Sequence, residues 1–379
     1  QKFRYLTSAR GETLWMARPS LRRLYPYPAP DLVPDPRPLF AGLFPIGLYG
    51  AKLENLEQIK AAGINTLILY SRNRELLSKA QQEGMRLVLR TPRDPDRLLP
   101  WMDRLPDDLV SKNLAFYVND EPGIHSFPRH RALDIQRLLK SRYPRSPTCM
   151  AVVRPQVCQD YARAADFFML DQYPVPYMPQ TWLADSMDQA GEQVGKHRLL
   201  SVIQAFGGDK HVGHPRMPTW REMDSLAFLS VVHGSRGVFF FSWPGVKTRD
   251  QVWKLRKVAT RLQRLSPWLN QNNLDLPFQV RMRSKYAQDP AGRPAVQCCL
   301  KKASGQHLLI AVNTLGTFVR AQIRIPESIA QPPAEGDPLP VLTTVFTDQD
   351  YILKDHCLQA RFRPHEVKVF QYPARPDPR

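Results

Sequence analysis

Hydrophobic and polar positions follow two different rhythms along this chain, and the change of rhythm near residue 270 divides it. Before that point, short unbroken apolar runs take turns with longer stretches of helical spacing. Residues 43–50 (LFPIGLYG) are an apolar run closed by glycine, and 53–63 (LENLEQIKAAG) carry apolar residues three and four apart and end on Gly63. The pair recurs as 64–70 (INTLILY) with 74–84 (RELLSKAQQEG), and again as 85–90 (MRLVLR) with 95–105 (PDRLLPWMDRL). Apolar residues at i, i+3 and i+4 make one buried helix face and glycine supplies the left-handed stop, whereas an unbroken apolar run fits a strand covered on both sides. Five more pairs follow, with strands predicted at 114–118, 148–153, 166–173, 199–206 and 237–243 and helices at 129–143, 155–164, 181–195, 219–234 and 249–269.

Eight such units in about 230 residues predict an α/β fold, a (β/α)8 TIM barrel over 40–270, because parallel strands need helical crossovers and this number closes a sheet on itself. No glycine-rich phosphate turn follows the first strand, which removes the main reason to expect a dinucleotide-binding sheet. Past residue 270 helical spacing is gone. FQVRMRSKY, AVQCCLKKA, HLLIAVNTL, VRAQIRI, LPVLTTVF and LQARFRPHEVKVFQY are short alternating runs between turn signals, the pattern of an antiparallel β-sandwich domain over 271–379. Residues 1–39 are dense in proline and arginine (RPSLRRLYPYPAPDLVPDPRP) and predict an extended arm, since proline at this density excludes helix and central strand.

Composition narrows the function. At 43% hydrophobic and 10% aromatic the 379 residues can bury a large core. No run approaches the ~20 apolar residues of a membrane span. The net charge of +18, from 53 Lys+Arg against 35 Asp+Glu, would suit an anionic partner, yet it is spread along the whole chain. No nucleic-acid module accompanies it, so no nucleic acid is expected as a partner. The five cysteines, Cys149, Cys158, Cys298, Cys299 and Cys357, match neither a zinc spacing nor a disulfide framework. The start at Gln1 fits a processed N-terminus; a removed secretory signal would put the chain in a secreted or periplasmic setting, which the cysteines do not support.

A barrel does its chemistry where its strands end. The strand ends here deliver Tyr49, Tyr70, Arg90, Asn119, Asp120, Glu121, Arg154, Asp171, Tyr173, Gln204 and Trp243, with Arg72 just beyond the second. Aromatic faces, carboxylates and amides suit a sugar ring. His125, His211 and His214 sit in loops without matching ligands, so neither metal nor cofactor is expected. The sharpest element is AFYVNDEPG at 115–123. Two carboxylates crowded at a strand end would push one pKa upward and leave a proton donor at neutral pH, which glycosidic cleavage requires. The plainer reading makes Asp120 a turn cap and Glu121 an ion-pair partner of arginine.

The barrel, the FPIGLYG opening, NDEP at the fourth strand and the sandwich together resemble a TIM-barrel glycoside hydrolase over roughly residues 40–372. That resemblance implies carbohydrate as substrate, Glu121 as general acid/base and Asp120 as its catalytic companion, with Tyr49, Tyr70, Arg90, Asn119, Asp171, Tyr173, Gln204 and Trp243 binding the sugar. Two departures go with it. Asp120 is inserted between the Asn and Glu of the large retaining clan, and Gln204 stands where that clan carries its nucleophilic Glu. Asp171 or Asp209 could supply the second carboxylate. Alternatively, as in similar hexosaminidases, Asp120 and Tyr173 would orient a 2-acetamido group that attacks in its place. The remaining alternative is a carbohydrate-binding protein that no longer cuts. Arg72, Arg90 and Arg154 at the mouth make an acidic sugar the first to test. Sugar identity and oligomeric state are not legible.

Overall fold

The structure, a computed structural model, describes residues 5–7, 13–15, 40, 42–69, 74–111, 113–208, 213–246, 248–276, 278–330 and 339–373. It forms two compact units, residues 1–33 and 34–379. In the first, β1 (Tyr5–Thr7) pairs antiparallel with β2 (Thr13–Trp15). The rest of the expected arm lies outside the described residues.

The second unit opens with the barrel. Its elements are β3 (Ile46–Tyr49), α1 (Leu56–Ala61), β4 (Thr66–Leu69), α2 (Arg74–Gln82), β5 (Arg86–Arg90), α3 (Pro95–Met102), α4 (Asp107–Ser111), β6 (Asn113–Asp120), α5 (Arg129–Arg142), β7 (Thr148–Val152), β8 (Phe167–Gln172), α6 (Thr181–Val194), β9 (Leu199–Gln204), α7 (Trp220–Val232), β10 (Val238–Phe241) and α8 (Arg249–Leu269). The eight parallel strands β3 to β10 close in chain order, with β10 against β3. One crossover differs from expectation. Residues 155–164 hold two single 3-10 turns, Pro155–Val157 and Gln159–Tyr161, instead of a helix; Cys158 and Tyr161 plug the layer there.

Alternation along the strands sorts side chains into two cores. Tyr49, Ile68, Val88, Tyr117, Cys149, Met169, Val202 and Phe239 fill the barrel interior, while Leu48, Leu67, Phe116, Met150, Phe168 and Phe240 pack outward against the helices. Gly47 has a steric reason: a Cβ there would lie 1.9 Å from Cδ1 of Phe239. Strand β6 breaks the alternation twice. The register slips against β5 between Leu87 and Val88, and against β7 between Tyr117 and Asn119. A bulge re-aims every side chain after it, and this one sets the site.

After α8 come β11 (Gln279–Met282), β12 (Val296–Ala303), β13 (Gln306–Asn313), β14 (Val319–Arg324), β15 (Val341–Thr344), β16 (Asp350–Ile352), β17 (Cys357–Phe362) and β18 (Val367–Pro373). They form a three-stranded sheet β11-β14-β17 and a five-stranded sheet β12-β13-β18-β15-β16. The run expected as one strand at 358–372 splits at Pro364 and His365, the latter at φ +53°. β16 (Asp-Tyr-Ile) is three residues long and lies outside the runs predicted as strands. The five-stranded sheet turns Cys299, Leu308, Ile310, Val312, Val367 and Val369 toward the barrel core and Leu300, Leu309, Ala311 and Phe370 toward the other sheet. Lys301, buried at this junction, donates to Gln271 O at 2.7 Å, and burial lowers its pKa to about 8. The fold is a TIM barrel carrying a C-terminal antiparallel β-domain.

Candidate active site

The site begins with the bulge. Tyr117 points into the barrel, and in a regular strand Asn119 would follow it. The extra residue at Val118–Asn119 instead pairs Asn119 with outward-facing Met150 and Asp120 with inward-facing Ala151. Asn119 is therefore 2% exposed, its Oδ1 accepting from the Asp120 N–H at 2.8 Å. It shapes the turn and does not line the mouth. Asp120 gains the inward position and two partners: the Tyr117 hydroxyl donates to its Oδ1 at 2.6 Å, and Arg90 Nη2 lies 3.6 Å from its Oδ2. Arg90 also sits over the Tyr117 ring, 5.8 Å from its centre.

Tyr117 has one hydroxyl proton and spends it on Asp120. The Tyr49 hydroxyl, close by, donates instead to Met169 Sδ at 3.9 Å. Burial holds both phenols well above their ordinary pKa, and the charges of Asp120 and Asp171 add to this. Tyr49 is thus a floor residue beneath the mouth.

Glu121 follows in the left-handed region at φ +44°, a conformation that costs a side-chain-bearing residue about 1–2 kcal/mol. It is held by its N–H to Ala151 O and by the Ile124 and His125 N–H groups, both donating to its carbonyl at 3.0 Å. A strained residue fixed by its neighbours is a recurrent mark of function. The turn directs its carboxyl to two partners. His125 Nε2 stands 3.7 Å away on the solvent side, and Asp171, 5% exposed at the end of β8, is hydrogen-bonded to it from inside. Asp171 Oδ1 has no hydrogen-bond partner among the described residues. Two carboxyls brought this close disfavour a second negative charge. Burial first, then the bond to Glu121 and its charge, raise the Asp171 pKa well above the usual carboxylate range.

The expected pair of carboxylates is thereby corrected. Asp120 and Glu121 do not couple chiefly to each other: the bulge sends Asp120 to Tyr117 and Arg90, and Glu121 meets Asp171. Gln204 is corrected too. It is fully buried, its Oε1 accepting from Val175 N at 3.1 Å while its Nε2 donates to Val175 O and Phe206 O at 3.1 and 3.2 Å. Both ends of the amide are used to pin the loop after β8, leaving none for a sugar. Trp243 belongs to the layer between barrel and helices and lines a separate 410 Å³ cavity with Lys52, Asn55, Gln58, Thr248 and Arg249. Phe241 takes the aromatic position in the mouth, 5.4 Å from the Tyr49 ring, 5.8 Å from Tyr173 and 5.7 Å from Phe206. Tyr173 and Phe206 complete this wall, with His214 edge-on to both. Arg154 is exposed at the end of β7. Tyr70, Arg72, Asp209 and His211 lie outside the described residues. Tyr117 and Phe241 are not among the residues expected at the mouth, although Phe241 is two residues beyond inward-facing Phe239 and the alternation alone marks it. Among the described residues no cluster of His, Cys, Asp and Glu is arranged to hold a metal, and no helix is long and apolar enough to cross a membrane.

No family model and no curated protein sequence matches the chain. Solved structures do. A catalytic mutant of a GH42 β-galactosidase from G. stearothermophilus aligns over 88% of this chain and 99% of its own with a TM-score of 0.58 at 9% identity. The fold is one shared with glycoside hydrolases. The α-amylase of Geobacillus thermoleovorans, solved with acarbose, gives 0.56 at 9% identity over 88% of this chain and 99% of its own. A GH30 endoxylanase from Clostridium papyrosolvens gives 0.53 at 11% identity over 88% and 97%. At these identities the likeness extends to the glycosidase-like barrel and its β-domain, and the chemistry has to be argued from the residues.

Proposed function

We propose that this chain is a glycoside hydrolase with Glu121 as the general acid/base. The observation that carries the reading is the meeting of Glu121 with buried Asp171 at the ends of β6 and β8, where burial and that neighbour raise the Asp171 pKa. Glycosidic cleavage needs a proton delivered to the leaving oxygen as the C–O bond breaks. Asp171 keeps the proton by burial; Glu121, 27% exposed at its side chain, presents the pair to the mouth. As the leaving group departs, the proton passes from Glu121 to its oxygen. Water then attacks the anomeric carbon and returns a proton to Glu121.

Asp120 is the orienting acceptor, held by Tyr117 and Arg90, and the face of Tyr173, Phe206 and Phe241 receives the ring. A protein nucleophile at the seventh strand is excluded from this scheme because Gln204 is an amide committed to backbone. The attack therefore comes from water, or from a 2-acetamido oxygen oriented by Asp120 and Tyr173. The locked Gln204 also favours a second reading, a barrel that binds carbohydrate without cutting it.

One screen separates the two. Reducing-end release is measured on neutral, N-acetylated and acidic oligosaccharides for the wild type and Glu121→Gln. The hydrolase reading expects release by the wild type and a loss of about 10²–10⁴ in kcat in the variant, the usual worth of a positioned acid. Equal, background-level release by both would leave the binding reading.

A further inference from the structure

The outer face of the three-stranded sheet carries a charge pattern that the barrel chemistry does not use. Alternation sends Val280, Met282, Ala321, Ile323, Leu358, Ala360 and Phe362 into the sandwich core. The other residues form rows across β11, β14 and β17. Arg281 lies opposite Gln322, and Gln322 opposite Gln359. One row on, the Arg283 N–H donates to Arg320 O at 3.0 Å, and Arg320 lies opposite Arg361. Three guanidinium side chains thus stand side by side across three strands, and like charges directly opposite destabilise a sheet. Arg281, Arg283, Arg320 and Arg361 make no ion pair among the described residues; on the same strand as Arg320, Arg324 pairs with Glu327 at 3.5 Å.

These side chains are not scattered on a convex surface. Arg281, Arg283, Arg320, Arg361, Gln322 and Gln359 line a cavity of 480 Å³. Phe318, 60% exposed, borders it with Arg361 lying 5.1 Å from its ring centre. The opposite sheet is the one packed on the barrel, so this face turns away from the active site and stays open.

We propose that this sheet face is a second carbohydrate site, a binding surface for an acidic polysaccharide carrying carboxylate or sulfate groups. Guanidinium forks pair with such oxyanions two bonds at a time. The Gln322 and Gln359 amides supply donors and acceptors for hydroxyls between the charges, and Phe318 offers a ring for a sugar face. A row of unpaired like charges is relieved when an anion lies across it. The choice of a glycan over a nucleic acid rests on the carbohydrate reading of the barrel; the charged face itself does not.

Retention of the full chain is measured by affinity electrophoresis in polygalacturonate, in dextran sulfate and in neutral dextran, with single-stranded DNA as competitor. The variants are Arg283→Gln/Arg320→Gln/Arg361→Gln and, as a control of equal charge change on the barrel, Arg104→Gln/Arg145→Gln/Arg256→Gln. The expected result is retention by one or both acidic gels and not by neutral dextran, which also tells carboxylate from sulfate. The sheet variant should bind at least about tenfold more weakly and lose up to about 3 from the salt slope, while the control stays within about twofold. Thermal melting of the sheet variant at or above the wild-type midpoint shows that it is folded. No retention, equal weakening by the control, or displacement by DNA at lower concentration than by polygalacturonate would each overturn the site. Retention without hydrolysis removes the barrel reading alone, and hydrolysis without retention removes this one alone.

Discussion

The carboxyl of Asp171, buried at the end of the sixth barrel strand, is hydrogen-bonded to the carboxyl of Glu121 at the end of the fourth. Replacing either partner tests what this contact does. In Glu121→Gln the acid is gone, and kcat should fall by about 10²–10⁴ with KM little changed. In Asp171→Asn the amide still donates to Glu121 but no longer holds a transferable proton. Here kcat should fall by about tenfold or more, and the alkaline limb of the pH–rate profile should move. Unchanged profiles in Asp171→Asn would show that Asp171 only packs beside the acid.

The same contact predicts a pH dependence of stability. The Asp171 pKa is raised in the folded chain, first by burial and next by Glu121. An acid with a folded pKa above its unfolded value binds a proton on folding. Its contribution is present in full below the unfolded value, 3.8, and is lost as pH rises through the folded value. Denaturant unfolding followed from pH 4 upward should therefore show a declining slope in the wild type that is weaker in Asp171→Asn. Identical slopes would mean that Asp171 titrates as an ordinary carboxyl.

Glu121 at φ +44° predicts a trade between stability and activity. Glycine adopts this conformation without the Cβ clash, so Glu121→Gly should abolish hydrolysis while stabilising the fold by about 1 kcal/mol. Thermal melting checks it, and a lower midpoint than the wild type would show that the turn is not strained.

How far the sequence carried this site follows from which signals are local. Barrel strands, helix stops and the change to period two all repeat along the chain, and they placed Asp120, Glu121, Asp171 and Tyr173 at strand ends. The bulge at Val118–Asn119 has no such signature. It exists because β6 must match β7 in register, and it inverts which of Asn119 and Asp120 faces in. Gln204 was misread for a similar reason. Its partners, Val175 and Phe206, belong to loops that meet only in the closed barrel. Phe241 is legible from alternation, two residues beyond inward-facing Phe239, whereas Trp243 lies past the end of β10, where alternation no longer holds.

The bond from Tyr117 to Asp120 predicts a positioning effect. Tyr117→Phe removes the donor 2.6 Å from Asp120 and leaves the ring in place. The net loss in stability should be about 1 kcal/mol. Asp120, left with Arg90, would orient less well, so kcat should drop by about tenfold. A structural role alone would lower the melting point and leave kcat of the folded enzyme unchanged.

Gln204→Glu is the substitution that sequence comparison with retaining glycosidases would suggest for restoring a nucleophile, and the geometry predicts the opposite outcome. The Gln204 amide presents its NH₂ to two carbonyl oxygens, Val175 O and Phe206 O, and its oxygen to Val175 N. A carboxylate keeps only the last of these bonds and sets an anionic oxygen against both carbonyls at a fully buried position. Losing buried partners costs about 1–3 kcal/mol, and more for a charged group. The variant should be destabilised by about 3 kcal/mol or more, the loop carrying Val175 should loosen, and no covalent glycosyl-enzyme should form. Mass spectrometry after incubation with a 2-fluoroglycoside, alongside denaturant unfolding, reads both effects. A trapped adduct on residue 204 in a variant of wild-type stability would show that the amide is not needed to hold the loop and that the seventh strand still faces the sugar.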